Sequence, residues 1–137
     1  MPLSIVNTGT PSVTTGECVS EVRKKHGSSG IWDEFEETTL AFEAAMNSND
    51  PDAIRAAMQR NHRLLQRIGV VPERVARFIE AIERTGGAAK ICGAGAVAGD
   101  AAGVVMVSAD RLPVELCREH GYELLPVRGE PLGVRIV

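Results

Sequence analysis

Apolar residues recur at intervals of three and four along most of the first 85 positions, and this spacing predicts a run of four helices. Thr14 or Thr15 can cap the first helix, while Asp50, followed by Pro51, caps the third. The predicted helical ranges are about 17–26, 31–47, 51–68 and 72–84. In the second helix, the stripe expected to be buried comprises Phe35, Thr38, Leu40, Phe42, Ala45 and Met46.

Short runs rich in β-branched residues flank this helical region and predict strands. The strands are expected at 3–8, 88–92, 104–107, 123–127 and 134–137, with a short helix over 112–120. The order β-α-α-α-α-β-β-α-β predicts an α+β fold in a single domain spanning 1–137. We expect an antiparallel sheet with helices packed on one face, a ferredoxin-like split βαβ plan with inserted helices. Residues expected to be buried together include Val105, Val107, Leu65, Phe78 and Ile82.

Composition narrows the classes of function. Of the 137 residues, 44% are hydrophobic, which is enough for a core, and the net charge of -3 argues against nucleic acid or an anionic membrane as a partner. No apolar run approaches the roughly 20 residues of a membrane helix, and the first residues do not resemble a signal peptide. Cys18, Cys92 and Cys117 are odd in number and lack CxxC spacing, so we expect reduced thiols, no metal site and a cytoplasmic protein.

A glycine- and alanine-rich segment, Gly93 to Gly103, follows the second predicted strand. Its GxGxxxG spacing differs from the GxGxxG of dinucleotide-binding loops, and an apolar strand follows it instead of a helix. It also lacks the terminal Gly-Lys-Ser/Thr of a Walker loop. Taken alone, the segment is most simply a flexible β-hairpin loop. Its four glycines and five alanines predict a mobile loop.

Three motifs follow one another along the chain, namely Asn61-His62-Arg63-Leu64-Leu65, then Ile68-Gly69-Val70, then Lys90-Ile91-Cys92-Gly93-Ala94-Gly95. Together they resemble the C-terminal half of mevalonate kinases. The opening stretch from Asn7 to Thr15 also resembles the strand-loop-helix entry of that domain. These kinases belong to the superfamily of galactokinase, homoserine kinase, mevalonate kinase and phosphomevalonate kinase. Here Ala96-Val97-Ala98 replace glycines of the family loop, and the loop is a few residues longer.

The resemblance implies the substrate-side domain of an ATP-dependent kinase that phosphorylates a small carboxylated alcohol, with mevalonate as the first candidate. ATP, magnesium and the catalytic aspartate would belong to an N-terminal half, which would be the partner of this chain. A second copy of the chain is a further candidate partner. The isolated chain is then expected to contain no catalytic residue and to be inactive. One alternative is a phosphomevalonate or sugar kinase of the same superfamily, and another is a stand-alone ferredoxin-like binding or regulatory module.

The resemblance also assigns site residues. The loop on the phosphate side would comprise Lys90, Gly93, Ala94, Gly95, Ala96, Gly99 and Asp100. In the complete kinase, Gly95→Val would then impair catalysis far more than stability. The acceptor side would include Thr14, Thr15 and Asn61. Without the resemblance, these residues have plainer interpretations, namely helix caps for the threonines, a solvated Lys90, a turn-forming Asp100 and a hydrogen-bonded structural Asn61. The three histidines, His26, His62 and His120, are expected at helix ends or on exposed faces.

Overall fold

The chain folds into helices and strands in the predicted order. The computed structural model describes residues 3–125 together with Val127, Gly129 and Gly133. The strands are β1 (Leu3–Asn7), β2 (Ala88–Ile91), β3 (Val104–Ser108) and β4 (Glu123–Leu125). The helices are α1 (Thr15–His26), α2 (Ile31–Asn47), α3 (Pro51–Arg67), α4 (Glu73–Arg84) and α5 (Val114–His120). The strand predicted at 134–137 lies outside the described residues.

The four strands form one sheet in the order β2-β3-β1-β4, and all neighbouring strands are antiparallel. β3 lies between β1 and β2, which is the split βαβ arrangement of ferredoxin-like folds. Helices α1–α4 form the first connection, and α5 joins β3 to β4. The predicted α+β fold class is therefore confirmed.

Local signals set the predicted helix starts. The Thr14 hydroxyl accepts a hydrogen bond from the Glu17 backbone N–H at 3.2 Å, and the Thr14 N–H donates to the Glu17 carboxylate at 2.6 Å. This reciprocal pair is a capping box, so Thr14 and not Thr15 caps α1. Asp50 caps α3 by accepting hydrogen bonds from the backbone N–H groups of Asp52 and Ala53.

The main core lies between the sheet and α4. Val6, Val105 and Val107 are fully buried on one face of the sheet and belong to the same cluster as Phe78 and Ile82 of α4. Leu65 packs against the edge of this cluster and is partly buried. The expectation that these helix and strand residues share a core is confirmed.

A smaller core lies on the opposite face of the sheet. Successive strand residues point to opposite sides, so Ala88 and Met106 face away from the main core. Met58 of α3 and Ala45 of α2 cluster with Ala88, and Met106 packs against them. Helices α2 and α3 therefore pack on this second face near the edge strand β2, whereas α4 packs on the face of the main core.

The buried stripe of α2 is narrower than predicted. Ile31, Thr38 and Ala45 are buried at seven-residue intervals, which is the spacing of a seam between two helices. Leu40 is 57% exposed and Met46 is 48% exposed, so their placement in the stripe was wrong. The physical reason is that α2 packs on α3 along one line and does not lie flat on a sheet.

His62 is buried, with 2% of its surface exposed, so the expectation of a solvated or capping histidine was wrong at this position. Neither ring nitrogen has a hydrogen-bond partner among the described residues. Burial, with a smaller contribution from the neighbouring Arg63 charge, lowers the pKa of His62 to about 4. The folded protein therefore holds a neutral imidazole at neutral pH.

This histidine should make the fold sensitive to acid. Because the folded pKa lies below the unfolded value, the unfolded chain binds the additional proton, and stability falls as the pH drops from about 6.5 towards 4. We expect a loss of about 2 kcal/mol between pH 7.5 and pH 5 from this residue. Urea unfolding of the wild type and His62→Leu at both pH values measures it. Gln66→Leu, at an exposed and non-titrating position of α3, is the control and should retain the full pH dependence. A His62→Leu variant with an unchanged pH dependence would contradict the assignment.

Candidate functional site

Two connections that the sequence had singled out meet in the fold. One is the segment 8–14 between β1 and α1, and the other is the loop 93–103 between β2 and β3. Their bases join because β1 and β3 are paired strands, with Asn7 opposite Val104. The residues that follow β1 therefore lie beside the residues that precede β3.

The Thr8 side chain joins the two connections through hydrogen bonds. Its hydroxyl donates to the Gly103 carbonyl at 2.8 Å and accepts from the Ala102 N–H at 3.0 Å, and only 8% of the residue is exposed. The Gly103 N–H donates in turn to the Gly9 carbonyl at 3.1 Å, and the Ser12 hydroxyl donates to the Ala98 carbonyl at 3.2 Å. Sequence reasoning missed Thr8 and Ser12, since nothing local distinguishes them from other turn residues.

The first half of the loop is fixed on its other side. The Ala96 N–H donates to the Val70 carbonyl at 2.9 Å, and the Cys18 thiol lies 3.6 Å from the Gly95 carbonyl, to which it donates. Backbone hydrogen bonds therefore hold a loop that we expected to be mobile for lack of side-chain packing. The prediction had considered only side chains.

Position 95 has no space for a side chain, so glycine is needed there for packing within the chain. Its φ of +66° is a conformation that favours glycine, and an added Cβ would lie 2.2 Å from the Val70 carbonyl oxygen and 2.5 Å from the Ile91 Cδ1. The expectation that Gly95→Val would spare stability is therefore corrected. Gly93, with a φ of +81°, has no atom within 4 Å of an added Cβ and is exposed.

Gly93 and Ala94 border an apolar cleft of about 410 Å³. Cys18, Val19 and Val22 of α1 form one wall, and the end of α3 forms another. Arg23 is the charged residue among those that line the cleft. Such a cleft suits a small molecule with an apolar body and one anionic group.

The predicted site residues do not form one cluster. Gly93 and Ala94 lie at the cleft, Gly95 and Ala96 are buried behind it, and Gly99 and Asp100 are exposed at the outer end of the loop. The exposed Thr14 side chain is used in the α1 cap, and Thr15 is exposed beside it. Lys90 and Asn61 line a second pocket that shares no residue with the cleft. Their roles in binding remain predictions.

Other site classes find no support in the described part of the chain. Residues 3–125 contain no group of three or more His, Cys, Asp or Glu side chains placed to hold a metal ion. No helix among those described combines the length and apolarity needed to cross a membrane. All three cysteines are free; Cys18 and Cys117 are buried, and Cys92 is partly exposed.

A protein-family model matches part of the chain, including the first half of the glycine loop. Residues 41–99 match the family model described as "GHMP kinases C terminal". This stretch contains α3, α4, β2 and the loop as far as Gly99. None of the curated proteins matches the chain.

Several solved structures, kinases among them, share the fold. A Lin0012 protein from Listeria innocua is 24% identical with a TM-score of 0.76, and the match covers 91% of this chain and 38% of that protein. L. major mevalonate kinase in complex with R-mevalonate is 20% identical with a TM-score of 0.72, and the match covers 85% of this chain and 37% of the kinase. Streptococcus pneumoniae phosphomevalonate kinase in complex with phosphomevalonate and AMPPNP is 16% identical with a TM-score of 0.73, and the match covers 90% of this chain and 38% of the kinase. The chain thus has the fold of a GHMP kinase C-terminal domain and spans well under half the length of each of these three proteins.

Proposed function

We propose that this chain is the C-terminal, substrate-side domain of an ATP-dependent small-molecule kinase of the GHMP superfamily. The observation that carries the proposal is the junction of the two connections, one of which borders the apolar cleft through Gly93 and Ala94. The 93–103 loop, most of whose assigned residues the resemblance places on the phosphate side, is hydrogen-bonded through Thr8 to the segment that leads to Thr14, which the resemblance places on the acceptor side. The family match over residues 41–99 and the shared fold support the same assignment.

Phosphoryl transfer depends mainly on positioning and on stabilisation of charge, so a domain can contribute without supplying a base. Glycine backbone can approach phosphate oxygens closely because no side chain intervenes. Gly93, with open space around it, lies where such an approach to a ligand in the cleft is feasible. In this proposal ATP and magnesium are held by the rest of the kinase, and this domain closes on the phosphate and the acceptor.

The acceptor we propose is a small carboxylated alcohol, with mevalonate first and phosphomevalonate second. The cleft is lined mostly by apolar side chains, and Arg23 provides a cation for one anionic group. A methyl-branched hydroxy acid has this combination. A sugar would leave its hydroxyl groups against apolar side chains without hydrogen-bond partners, which disfavours a sugar kinase.

The proposal is tested on the complete kinase by release of ADP in the presence of mevalonate or phosphomevalonate. Ala94→Asp places a carboxylate at the cleft, and we expect it to lower kcat/KM at least tenfold because the charge repels the phosphate and the acceptor carboxylate. Ala98→Asp is the matched control, since Ala98 is exposed farther along the same loop. Equal effects of the two variants, or no acceptor-dependent release of ADP by the wild type, would contradict the proposal.

The isolated chain should show no ATP-dependent phosphorylation of either acceptor. The reason is that the proposal assigns the nucleotide loop and the catalytic aspartate to the other half. The same ADP assay on the purified domain measures this. Turnover clearly above a protein-free blank would show that the chain is a catalyst in its own right.

A further inference from the structure

The second pocket lies between the α2–α3 pair and the sheet face that carries the smaller core. It has a volume of about 180 Å³ and is lined by Thr38, Thr39, Phe42, Ala57, Met58, Asn61, Lys90 and Met106. An apolar cavity of about 150 Å³ accommodates benzene, so this pocket has room for a ligand of about six to eight non-hydrogen atoms. None of its lining residues borders the glycine-loop cleft.

Lys90 gives the pocket a positive charge. It lies on β2 opposite Met106 of β3 and is only partly exposed. Among the described residues no carboxylate forms an ion pair with it, although eight ion pairs are formed elsewhere in this part of the chain. No Asp or Glu lines the pocket. An anionic ligand would provide the missing counter-charge.

Asn61 gives the pocket an unpartnered acceptor. Its side-chain oxygen Oδ1 is buried and has no hydrogen-bond donor among the described residues. The hydroxyl groups of Thr38 and Thr39 already donate to the Glu34 and Phe35 carbonyls, at 2.7 and 2.9 Å, so these hydroxyl groups do not donate to Asn61. A buried acceptor left without a donor is unfavourable, and a ligand bearing a donor would satisfy it.

We infer that this pocket binds a small hydroxy acid, whose carboxylate pairs with Lys90 and whose hydroxyl donates to Asn61. The remaining wall, formed by Phe42, Met58 and Met106, contacts a short branched apolar group. An amino acid of the same shape fits less well, because its ammonium group would meet the Lys90 charge in a pocket with no lining carboxylate. The resemblance had assigned Lys90 and Asn61 to the kinase site, but this inference rests on their place in the second pocket and uses neither the cleft nor residues 93–103.

The test is a titration of the ¹⁵N-labelled chain, followed by NMR, with four probes of similar size. These are 2-hydroxyisovalerate, isovalerate without the hydroxyl, valine, and 2-methylpropanol without the charge. We expect saturable shifts at the pocket with a millimolar Kd for 2-hydroxyisovalerate, and binding at least fivefold weaker for each of the others. Equal binding of all four probes, or no saturable shift with 2-hydroxyisovalerate, would overturn the inference and leave a hydrated pocket.

Matched variants locate the binding. Lys90→Met and Asn61→Leu keep the approximate shapes of the side chains, and each should weaken binding of 2-hydroxyisovalerate at least tenfold. Lys25→Met and Asn47→Leu, at exposed positions on α1 and α2, are the controls and should bind as the wild type does. Thermal melts show which variants fold, and Lys90→Arg, which keeps the charge, should retain binding if Lys90→Met is unfolded. Shifts that persist in a folded Lys90→Met variant would refute the site.

Discussion

Gly95→Ala should lower the free energy of unfolding by about 3 kcal/mol or more, the sum of a strained backbone and an overpacked site. The new methyl group would overlap the Val70 carbonyl oxygen, at 2.2 Å, and the Ile91 side chain, at 2.5 Å. It would also occupy a position whose φ is +66°. Moving away is costly, because the neighbouring Ala96 N–H is bonded to the same Val70 carbonyl. Urea denaturation of the purified domain measures the loss.

Gly93→Ala is the matched control. Its φ of +81° imposes a similar backbone strain, but no atom lies within 4 Å of the added Cβ. We therefore expect a loss of only about 1 kcal/mol. The difference between the two variants isolates the packing of Gly95 against Val70 and Ile91. Equal losses would mean that the loop shifts freely and that Gly95 is not packed as described.

Phe78→Ala should cost about 3–5 kcal/mol, because it removes a fully buried aromatic ring from the main core. The ring makes edge-on contacts with His120 and Tyr122, with centroids 5.3 and 5.2 Å apart, so its loss also loosens α5 and the start of β4. Chemical denaturation gives the change in the free energy of unfolding. Near-ultraviolet circular dichroism reports on Tyr122 and should weaken.

Leu40→Ala serves as the control for Phe78→Ala. The periodicity of α2 predicted Leu40 to be buried, whereas the structure exposes it, so we expect a change within about 0.5 kcal/mol. A loss at Leu40 approaching that at Phe78 would restore the broad buried stripe and contradict the narrow seam. Phe78→Ala with a loss below about 1 kcal/mol would contradict a core between α4 and the sheet.

The sequence indicated many residues of the candidate site but not their relative positions. Neighbouring residues in the chain identified the motif around Gly93 and narrowed the cap of α1 to Thr14 or Thr15. Their proximity depends on the pairing of β1 with β3 and on Thr8, whose hydrogen bond spans 95 positions to Gly103. Lys90 and Gly93 are only three positions apart but line different pockets, because Lys90 lies on the sheet face of the smaller core whereas Gly93 follows the end of β2.

The sequence by itself determined the elements, their order and the fold class. Caps such as Thr14 with Glu17, and Asp50 before Pro51, act within a few residues, and the apolar periodicity of α4 marks its buried face. Only the tertiary structure decided that His62 is buried, that α2 contributes a narrow seam and that Gly95 is fixed by packing. These properties depend on side chains and carbonyl groups far along the chain, such as Cys18, 77 positions from Gly95. Local patterns describe how a segment folds, whereas burial and loop geometry depend on what packs against it.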